Sequence, residues 1–336
     1  MNLKTQITKI HYDKNAKGLF VKVLDFASFF YGIGSGFKNF LYDKKLLKPK
    51  RVDAFVISVG NITTGGVGKT PFVAEMAKYF ISKGEKVAII SRGYGGKLSN
   101  KNINIISDGE KIYYDAQNAG DEPFWLAENA KNAIVITSKN RYAASKYAIE
   151  KFNATKIILD DGFQHRKLYR DLDIVLMDSE KVLGREKLLP AGPLREGFEA
   201  FGRIDKLVIV SKNVDHTRAE KLAKIMDKKM NIPTFLCKTE PDYVYNIKTA
   251  EQIEKGADVT AVCAIGQPEQ FYVFLKDFNI KETKTFDDHH QYKEEEIPQG
   301  TIITTEKDAV KMKDFSRSDI YALKLKTVVD IDNLLS

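Results

Sequence analysis

Residues 63–71 read Thr63-Thr64-Gly65-Gly66-Val67-Gly68-Lys69-Thr70-Pro71. This stretch follows the apolar run 54–59 and precedes a helix-like stretch, 72–80. A strand that feeds a glycine-rich turn opening a helix gathers backbone N–H groups, the positive end of the helix dipole and a lysine around one point. Because nucleotide phosphates bind at such a point, the stretch predicts a phosphate loop (P-loop) that binds a nucleoside triphosphate.

The predicted phosphate loop departs from the strict pattern at one position. That pattern has glycine six residues before the lysine, where this chain has Thr63. The three glycines of the stretch still allow the tight turn, Lys69 can reach the β- and γ-phosphates, and the Thr70 hydroxyl is placed to bind Mg²⁺. The alternative is a turn that serves only the packing of a strand against a helix.

Short apolar runs alternate with helix-like segments downstream of the loop. These runs are rich in β-branched residues and lack strict alternation, as is typical of strands covered on both faces. They lie at 87–90, 133–136, 157–159, 174–177 and 207–210. We therefore predict an α/β fold with a mostly parallel sheet sandwiched by helices, as in P-loop NTPases. Active groups of such sheets gather at the carboxyl ends of the strands, so the polar motifs that follow these runs should meet in one crevice.

Two adjacent acids follow the run 157–159. Asp160 and Asp161 open the motif Asp-Asp-Gly-Phe-Gln-His, and an acid directly after an apolar strand is the arrangement that holds the Mg²⁺ of a nucleotide. Two adjacent acids cannot both be fillers of an apolar core, so we predict that both are linked to the metal. His165, at the end of the motif, is more typical of a structural histidine.

Three further polar motifs are ambiguous when each is taken alone. Asp121, in Gly-Asp-Glu-Pro at 120–123, has the pattern of a helix cap. Arg195 lies in a stiff Pro/Gly loop, where it either neutralises phosphate or is simply solvated. The stretch 286–292 combines acids with His289 and His290.

The first 51 residues carry the net charge of the chain. They hold 11 basic and 3 acidic side chains, a net +8 that equals that of all 336 residues. Bulky apolar groups are interleaved with the lysines, and the longest charge-free run, 26–37, has 12 residues including three glycines. A membrane span needs about 20 apolar residues, so we predict an amphipathic helix lying on an anionic membrane surface without spanning it.

Two alternatives compete for this amino end. One is a helix packed on the protein core, and the other is a basic arm for nucleic acid. The aromatic residues are denser than a phosphate-tracking arm requires and no nucleic-acid motif occurs elsewhere, so we expect no nucleic-acid partner.

Length and cysteine content bound the organisation of the chain. Its 336 residues are enough for about two domains. Its two cysteines lack metal-type spacing and favour a reducing, cytosolic setting. We predict a membrane-associating segment at 1–50, a P-loop domain at 51–205, and a smaller α/β domain at 206–336 with strands near 259–265 and 301–303.

Taken in order, eight motifs resemble those of one family, the tetraacyldisaccharide 4′-kinases, or lipid A 4′-kinases. They are GNITTGGVGKTP from Gly60, SRGYG from Ser91, GDEP from Gly120, DDGFQH from Asp160, LLPAGPLRE from Leu188, IGQPEQF from Ile265, DHH from Asp288 and TTEKDAVK from Thr304. The resemblance covers roughly residues 50–312. Threonine is the family's usual residue at position 63, so by this resemblance Thr63 is not a departure from the expected phosphate-loop pattern.

The resemblance implies transfer of the γ-phosphoryl group of ATP to the 4′-hydroxyl of tetraacyldisaccharide 1-phosphate in lipid A biosynthesis. It places this reaction at the cytoplasmic face of the inner membrane. Such a substrate is lipid-embedded and anionic, in keeping with the basic and aromatic amino end.

The resemblance also assigns roles to single residues. Asp121 becomes the general base with His289 as its partner, although sequence alone does not separate His289 from His290. Arg195 lies near the transferring or substrate phosphate. The nucleotide is held by Thr63, Thr64, Gly65, Gly66, Val67, Gly68, Lys69 and Thr70, and Mg²⁺ by Thr70, Asp160 and Asp161. Because His289 falls in the predicted second domain, completing the site would require the two domains to close.

Two other classes of function share parts of this pattern. Membrane-attached ATPase switches of the partitioning or protein-targeting kind contain Gly-Gly-Val-Gly-Lys-Thr, but they typically carry lysine where this chain has Thr64. A nucleotide-dependent binding module without catalysis has no need of Asp121, the paired aspartates and the histidines. A lipid phosphorylation assay separates all three classes.

Overall fold

The computed structural model describes residues 3–100, 103–180, 184–213, 215–265, 268–287 and 290–336. The chain forms two compact units. The first consists of Met1–Val210, Arg218–Cys237 and Val329–Ser336, and the second of Ser211–Thr217 and Lys238–Val328. The division into functional domains at 1–50, 51–205 and 206–336 stays a prediction.

The described residues contain α-helices and β-strands in alternation along most of the chain. The helices are α1 Leu3–Tyr12, α2 Leu19–Asp43, α3 Lys69–Ser82, α4 Ala116–Ala119, α5 Asp121–Asn129, α6 Arg141–Phe152, α7 Thr217–Met230, α8 Pro268–Phe274, α9 Glu306–Ala309 and α10 Ile331–Leu335. The strands are β1 Phe55–Gly60, β2 Val87–Ser91, β3 Asn104–Asp108, β4 Ile134–Thr137, β5 Lys156–Asp160, β6 Leu172–Asp178, β7 Lys206–Ser211, β8 Thr234–Asn246, β9 Asp258–Cys263, β10 Asn279–Thr285, β11 Ile302–Thr305 and β12 Ile320–Val329.

The first unit is built on a mostly parallel sheet with the strand order β7-β6-β1-β5-β2-β4-β3. Its neighbouring strands run parallel, with β1 between β5 and β6. The exception is β3, which runs antiparallel to β4 at the edge. The five apolar runs predicted as strands correspond to β2, β4, β5, β6 and β7, so the predicted parallel sheet is confirmed.

Helices cover both faces of this sheet. Val56 of β1 packs in a buried cluster with Ala144 of α6, whereas the next residue, Ile57, packs in a different cluster with Phe72 and Met76 of α3. Successive residues of a strand point to opposite faces, so α6 and α3 lie on opposite sides of the sheet. The prediction of a sheet sandwiched by helices is therefore confirmed.

The amino end forms a long helix, α2, with two different faces. Its buried residues are Val21, Leu24 and Asn39. Most of the exposed apolar residues recur every three or four positions and therefore form one stripe along the helix. These are Leu19, Val23, Phe26, Phe30, Ile33, Phe37 and Phe40, and Phe20, Phe29 and Tyr31 are also exposed. The predicted amphipathic helix is confirmed, while its position on a membrane stays a prediction.

The inner face of α2 is bonded to the rest of the first unit. Ser28, Tyr31 and Lys38 donate hydrogen bonds to the backbone carbonyls of Leu188 at 2.8 Å, Arg195 at 2.9 Å and Gln164 at 2.9 Å. By length and composition alone, α2 is long and apolar enough to cross a membrane. The bond from Lys38 shows that this charged side chain faces the protein and does not interrupt the exposed stripe.

The second unit is a smaller α/β structure, as predicted. Its strands follow the order β10-β9-β11-β12-β8, and β10, β9, β11 and β12 pair in parallel. Its core forms around buried residues of β9 and β11 such as Ala261 and Ile303, against Phe271 of α8. The predicted strands near 259–265 and 301–303 correspond to β9 and β11.

Candidate active site

The phosphate loop connects β1 to α3 in the first unit, and glycines make its turn sterically permissible. Gly65 has φ +109°, and Gly68, which precedes the first helical residue Lys69, has φ +96°. L-residues with side chains rarely adopt such angles, so these two glycines are required by the turn itself. The loop therefore ends with Lys69 and Thr70 in the first turn of α3, as the sequence predicted.

Lys69 is held by two oxygen atoms at the base of the loop. Its Nζ donates to Oδ1 of Asn61 at 2.9 Å and lies 3.4 Å from Oδ1 of Asp161. Asn61 is fully buried, and its own backbone carbonyl accepts a 3.0 Å bond from Nε2 of Gln164. No role was predicted for Asn61 from the sequence, although its position between a strand and a glycine-rich turn indicates a residue close to the phosphate loop.

Asp161 joins Lys69 to Arg195. The Arg195 Nη1 lies 2.9 Å and 2.8 Å from the two carboxylate oxygens of Asp161. Burial alone would raise the pKa of Asp161, but Lys69 and Arg195 outweigh that effect and lower the pKa. The Asp161 carboxylate is therefore charged and holds two cations beside the loop.

Asp160, one residue earlier at the end of β5, has the opposite environment. It is 3% exposed, and no described residue bonds its Oδ1. Burial, together with the charge of Glu122, raises its pKa to about 7, against the opposing effects of Lys69 and Arg141. A buried carboxylate with an unpartnered oxygen is suited to receive a cation.

Arg141 lies beneath Asp160 and was not identified from the sequence. It is 4% exposed and donates to the carbonyl oxygens of Ser138 at 2.5 Å and Asp160 at 3.5 Å. Burial lowers its pKa to about 10, so the guanidinium remains charged at neutral pH. An arginine at the start of an ordinary helix, 19 residues before Asp160 in the sequence, gives no local signal of this contact.

Asp121 is the first residue of α5 and is exposed. The N-cap position belongs to Gly120, which has no side chain with which to cap the helix. Asp121 therefore does not cap α5, which removes the reason for interpreting it as purely structural. Gly96 of the SRGYG-containing loop lies against Asn118, where a Cβ would be 2.6 Å from a carbonyl oxygen, so that loop lies beside Asp121.

The two histidines of the DHH motif differ in what the structure describes. His289 and Asp288 lie outside the described residues. His290, in the second unit, has its Nε2 3.1 Å from Oε2 of Glu296, and its ring stacks on Phe286 at 4.6 Å. These contacts give His290 a structural role within its own unit.

The TTEKD motif also holds the second unit together. Thr305 caps α9, and its hydroxyl donates to Oδ2 of the buried Asp308 at 2.9 Å. The same carboxylate oxygen accepts the backbone N–H of Ala264 at 2.9 Å. The motif thereby joins the end of β11 to the end of β9.

A glycine-rich loop, its lysine and two aspartates at the carboxyl ends of adjacent parallel strands define the class of protein. It is a phosphate-loop protein equipped for phosphoryl transfer. The model of the family described as tetraacyldisaccharide-1-P 4'-kinase matches residues 20–335. The chain belongs to this family.

Similar proteins cover most of the chain. A tetraacyldisaccharide 4'-kinase of Halothermothrix orenii is 39% identical over 313 aligned residues, covering 84% of this chain and 80% of that protein. One of Desulfotalea psychrophila is 38% identical over 309 residues, covering 87% of this chain and 88% of that protein. The crystal structure of the "apo" form of LpxK from Aquifex aeolicus in complex with ATP has a TM-score of 0.74 and 32% identity, covering 94% of this chain and 97% of that one.

Proposed function

We propose that this chain is an ATP-dependent kinase that phosphorylates the 4′-hydroxyl of tetraacyldisaccharide 1-phosphate in lipid A biosynthesis. The observation that best supports phosphoryl transfer is that Asp161 bonds both Lys69 of the phosphate loop and Arg195. Two cations are thereby gathered where the phosphates of ATP would bind. Family membership supports the identity of the acceptor.

Phosphoryl transfer requires mainly positioning and neutralisation of charge. The backbone N–H groups of residues 63–70 and the α3 dipole attract the phosphates, and Lys69 neutralises the β- and γ-groups. Arg195 neutralises charge on the transferring group or on the substrate phosphate. Both side chains already lie on Asp161, so ATP would bind next to an existing pair of cations.

The acceptor hydroxyl needs a group that takes its proton. Asp121 fits this role of general base because it is exposed and is not occupied in capping α5. His289 is assigned as its partner by likeness to the family and lies outside the described residues. Once Asp121 has taken the proton, the oxygen attacks the γ-phosphorus, the bond from that phosphorus to the β–γ bridging oxygen breaks, and ADP leaves.

The residues present fit a magnesium ion. Thr70, Asp160 and Asp161 would hold it, and the buried, unpartnered Oδ1 of Asp160 is the observation that favours this site. Among the described residues, no group of three or more His, Cys, Asp or Glu side chains forms a metal site. Mg²⁺ in kinases does not need one, because phosphates and water supply most of its ligands. When bound, Mg²⁺ neutralises charge on the phosphates.

A membrane surface is the expected setting, with α2 as the attachment and the cytoplasmic face of the inner membrane as the location. The exposed stripe of α2 would enter the acyl boundary while nearby lysines contact anionic head groups. A cavity of about 540 Å³ opens between α2 and the loop at Leu188, lined by Phe29, Ile33 and Lys187 among others. Its apolar walls suit an acyl chain, and its cation, Lys187, is paired with Asp25, which lines the same cavity.

The direct test is transfer of radiolabelled phosphate from ATP to tetraacyldisaccharide 1-phosphate, detected by thin-layer chromatography. The proposal requires a labelled lipid product that depends on Mg²⁺. ATP hydrolysis without any labelled lipid would contradict the proposal and favour the membrane-attached ATPase switch. ATP binding with neither hydrolysis nor transfer would favour the binding module.

A further inference from the structure

The first helix of the chain, α1, contacts the phosphate loop. The hydroxyl of its last residue, Tyr12, donates a 3.3 Å hydrogen bond to the backbone carbonyl of Thr64. The preceding residue, His11, is 5% exposed. Both residues lie before position 20, where the match to the family model begins, so the family comparison assigns them nothing.

The bond from Tyr12 fixes the orientation of one peptide group of the loop. A peptide unit is planar and trans, so the N–H of Gly65 points away from the carbonyl of Thr64. Tyr12, by holding that carbonyl, also fixes the direction of the Gly65 N–H. Gly65 has φ +109° and no side chain to restrain it, so an external contact is what selects its orientation.

The same end of α1 also contacts a second loop, the one that carries Arg195. The Nε2 of His11 lies 3.0 Å from the carbonyl oxygen of Pro190, and a carbonyl only accepts, so the imidazole donates. The carbonyl of His11 accepts the N–H of Arg185 at 2.9 Å. Gly184 packs so closely here that a Cβ would lie 2.4 Å from the His11 carbonyl oxygen.

The two loops that α1 contacts are also bonded to each other. The N–H of Thr64 donates to the carbonyl of Pro193 at 2.7 Å, and the N–H of Arg195 donates to the carbonyl of Ile62 at 2.8 Å. Thr64 is therefore held on both sides, by Pro193 and by Tyr12. The contacts of α1 thus stabilise a pair of loops that presents Arg195 beside the phosphate loop.

The chemistry of both side chains suits this role. Burial, reinforced by the charge of Asp178, raises the pKa of Tyr12, so its hydroxyl stays protonated and able to donate. Burial lowers the pKa of His11, so the imidazole is neutral near pH 7. Neither group therefore places a charge of its own next to the phosphates.

We propose that Tyr12 and His11 are positioning residues for nucleotide binding, which orient the phosphate loop and the Arg195 loop before ATP arrives. This inference rests on the proposed function only in requiring that the loop binds ATP. Pre-orientation lowers the cost of ordering the loop when ATP binds. Loss of either contact should therefore weaken ATP binding, and loss of the Tyr12 contact, which is made to the phosphate loop alone, should do so without affecting the lipid acceptor.

The experiment compares the full chain with Tyr12→Phe, which removes only the hydroxyl. Titration calorimetry without lipid measures the dissociation constant for ATP, and steady-state assays give KM for ATP and for the lipid. One hydrogen bond corresponds to roughly a three- to tenfold rise in the ATP dissociation constant. The KM for ATP should rise with it, while the KM for the lipid and sedimentation with vesicles should not change.

A matched control is Tyr79→Phe, which removes a hydroxyl that donates to Asp332 at 2.6 Å, at the far end of α3 from the loop. It should bind ATP as the wild type does. His11→Ala should weaken ATP binding, and His11→Gln, which keeps an N–H donor, should restore part of the loss. Gly184→Ala should reproduce the effect by displacing α1 while leaving both side chains unchanged.

An ATP dissociation constant of Tyr12→Phe within twofold of the wild-type value would overturn the inference. So would an equal loss in Tyr79→Phe, since the effect would then not be specific to the loop. If the wild type bound ATP but transferred no phosphate to lipid, the proposed function would fail while the comparison of ATP affinities still decided the role of Tyr12. A wild type that binds no ATP would refute both.

Discussion

The helices α2 and α3 treat their apolar residues in opposite ways. In α3 the residues Phe72 and Val73 are fully buried against the sheet, whereas in α2 Phe26 is 68% and Phe37 is 62% exposed. Packing against the sheet explains the first pattern, and the proposed membrane surface would explain the second. The two helices therefore fit different parts of the proposed function, α3 the nucleotide at its first residue and α2 the lipid surface.

Removal of the phosphate-loop lysine should cause the greatest loss of activity. Lys69→Ala should reduce phosphate transfer by roughly 10³-fold or more at every lipid concentration, because the lysine neutralises charge on the transferring group. Transfer of radiolabelled phosphate measures the effect. Thermal unfolding and vesicle sedimentation should match the wild type, since α2 is untouched. Retention of most turnover would contradict the assignment of the phosphate loop.

Asp121→Asn should give the next effect, on chemistry alone. Asparagine keeps the shape but cannot accept the proton, so kcat should fall by roughly 10² to 10⁴. The unfolding temperature should barely change, because Gly120 and not Asp121 occupies the N-cap of α5. A kcat close to the wild-type value would rule out the role of general base.

The partnership of Asp121 with His289 can be tested separately with a double variant. If the two act as a unit, the double variant Asp121→Asn with His289→Ala should lose much less free energy of transition-state stabilisation than the sum of the two single losses. Strict additivity of the effects on kcat/KM would show that the two residues act independently.

The sequence predicted those parts of the molecule that depend on local order. The phosphate loop and Asp160 with Asp161 at the end of β5 follow from residues that are neighbours in the chain. The antiparallel edge strand β3 was not predicted, because its run Asn-Ile-Ile-Ser-Asp carries no mark of direction. Pairing direction depends on the rest of the sheet.

The differences within the site arise from contacts that are distant in the sequence. Asp160 and Asp161 are adjacent and of one residue type, yet burial raises the pKa of the first while Lys69 and Arg195 lower that of the second. The partner Arg195 lies 34 residues away. The role of Arg141 was not predicted for the same reason, because only the folded chain brings its guanidinium to the carbonyl oxygen of Asp160.

Contacts between distant residues also decide how the charges of α2 are placed. Its charges interrupt the apolar run in the sequence, which made the charge-free stretch only 12 residues long. In the fold Asp25 pairs with Lys187 at 2.8 Å and Lys38 bonds the carbonyl of Gln164, so both charges face the protein. The exposed stripe is therefore more continuous than the sequence indicated.

Two similarly exposed valines, one in α2 and one in α8, test whether the stripe of α2 binds membranes. Val23 of α2 is 55% exposed and Val273 of α8 is 51% exposed. Val23→Ser should weaken sedimentation with anionic vesicles by roughly three- to tenfold, because the valine would leave the acyl boundary. Val273→Ser should leave it unchanged, and ATP binding should be normal in both. Equal vesicle binding by the two variants would contradict membrane attachment through the stripe.

A weaker effect, on stability, is predicted for His165, in the loop that α2 contacts through Lys38. Burial, and then the charges of Arg141 and Lys38, lowers its folded pKa to about 4 from 6.5. Between these values the unfolded chain binds a proton that the folded chain does not, so stability should fall as pH decreases from 6.5 towards 4.

The slope from His165 should stay below about 1.4 kcal/mol per pH unit, because the ring is partly solvated. His165→Asn should remove this contribution, and Lys38→Gln should reduce it by raising the folded pKa of His165. Urea unfolding at several pH values between 4.5 and 7.5 measures the slopes. Identical slopes for the wild type and His165→Asn would show that His165 titrates alike in both states. An unchanged slope in Lys38→Gln alone would mean that α2 does not act on this loop through charge.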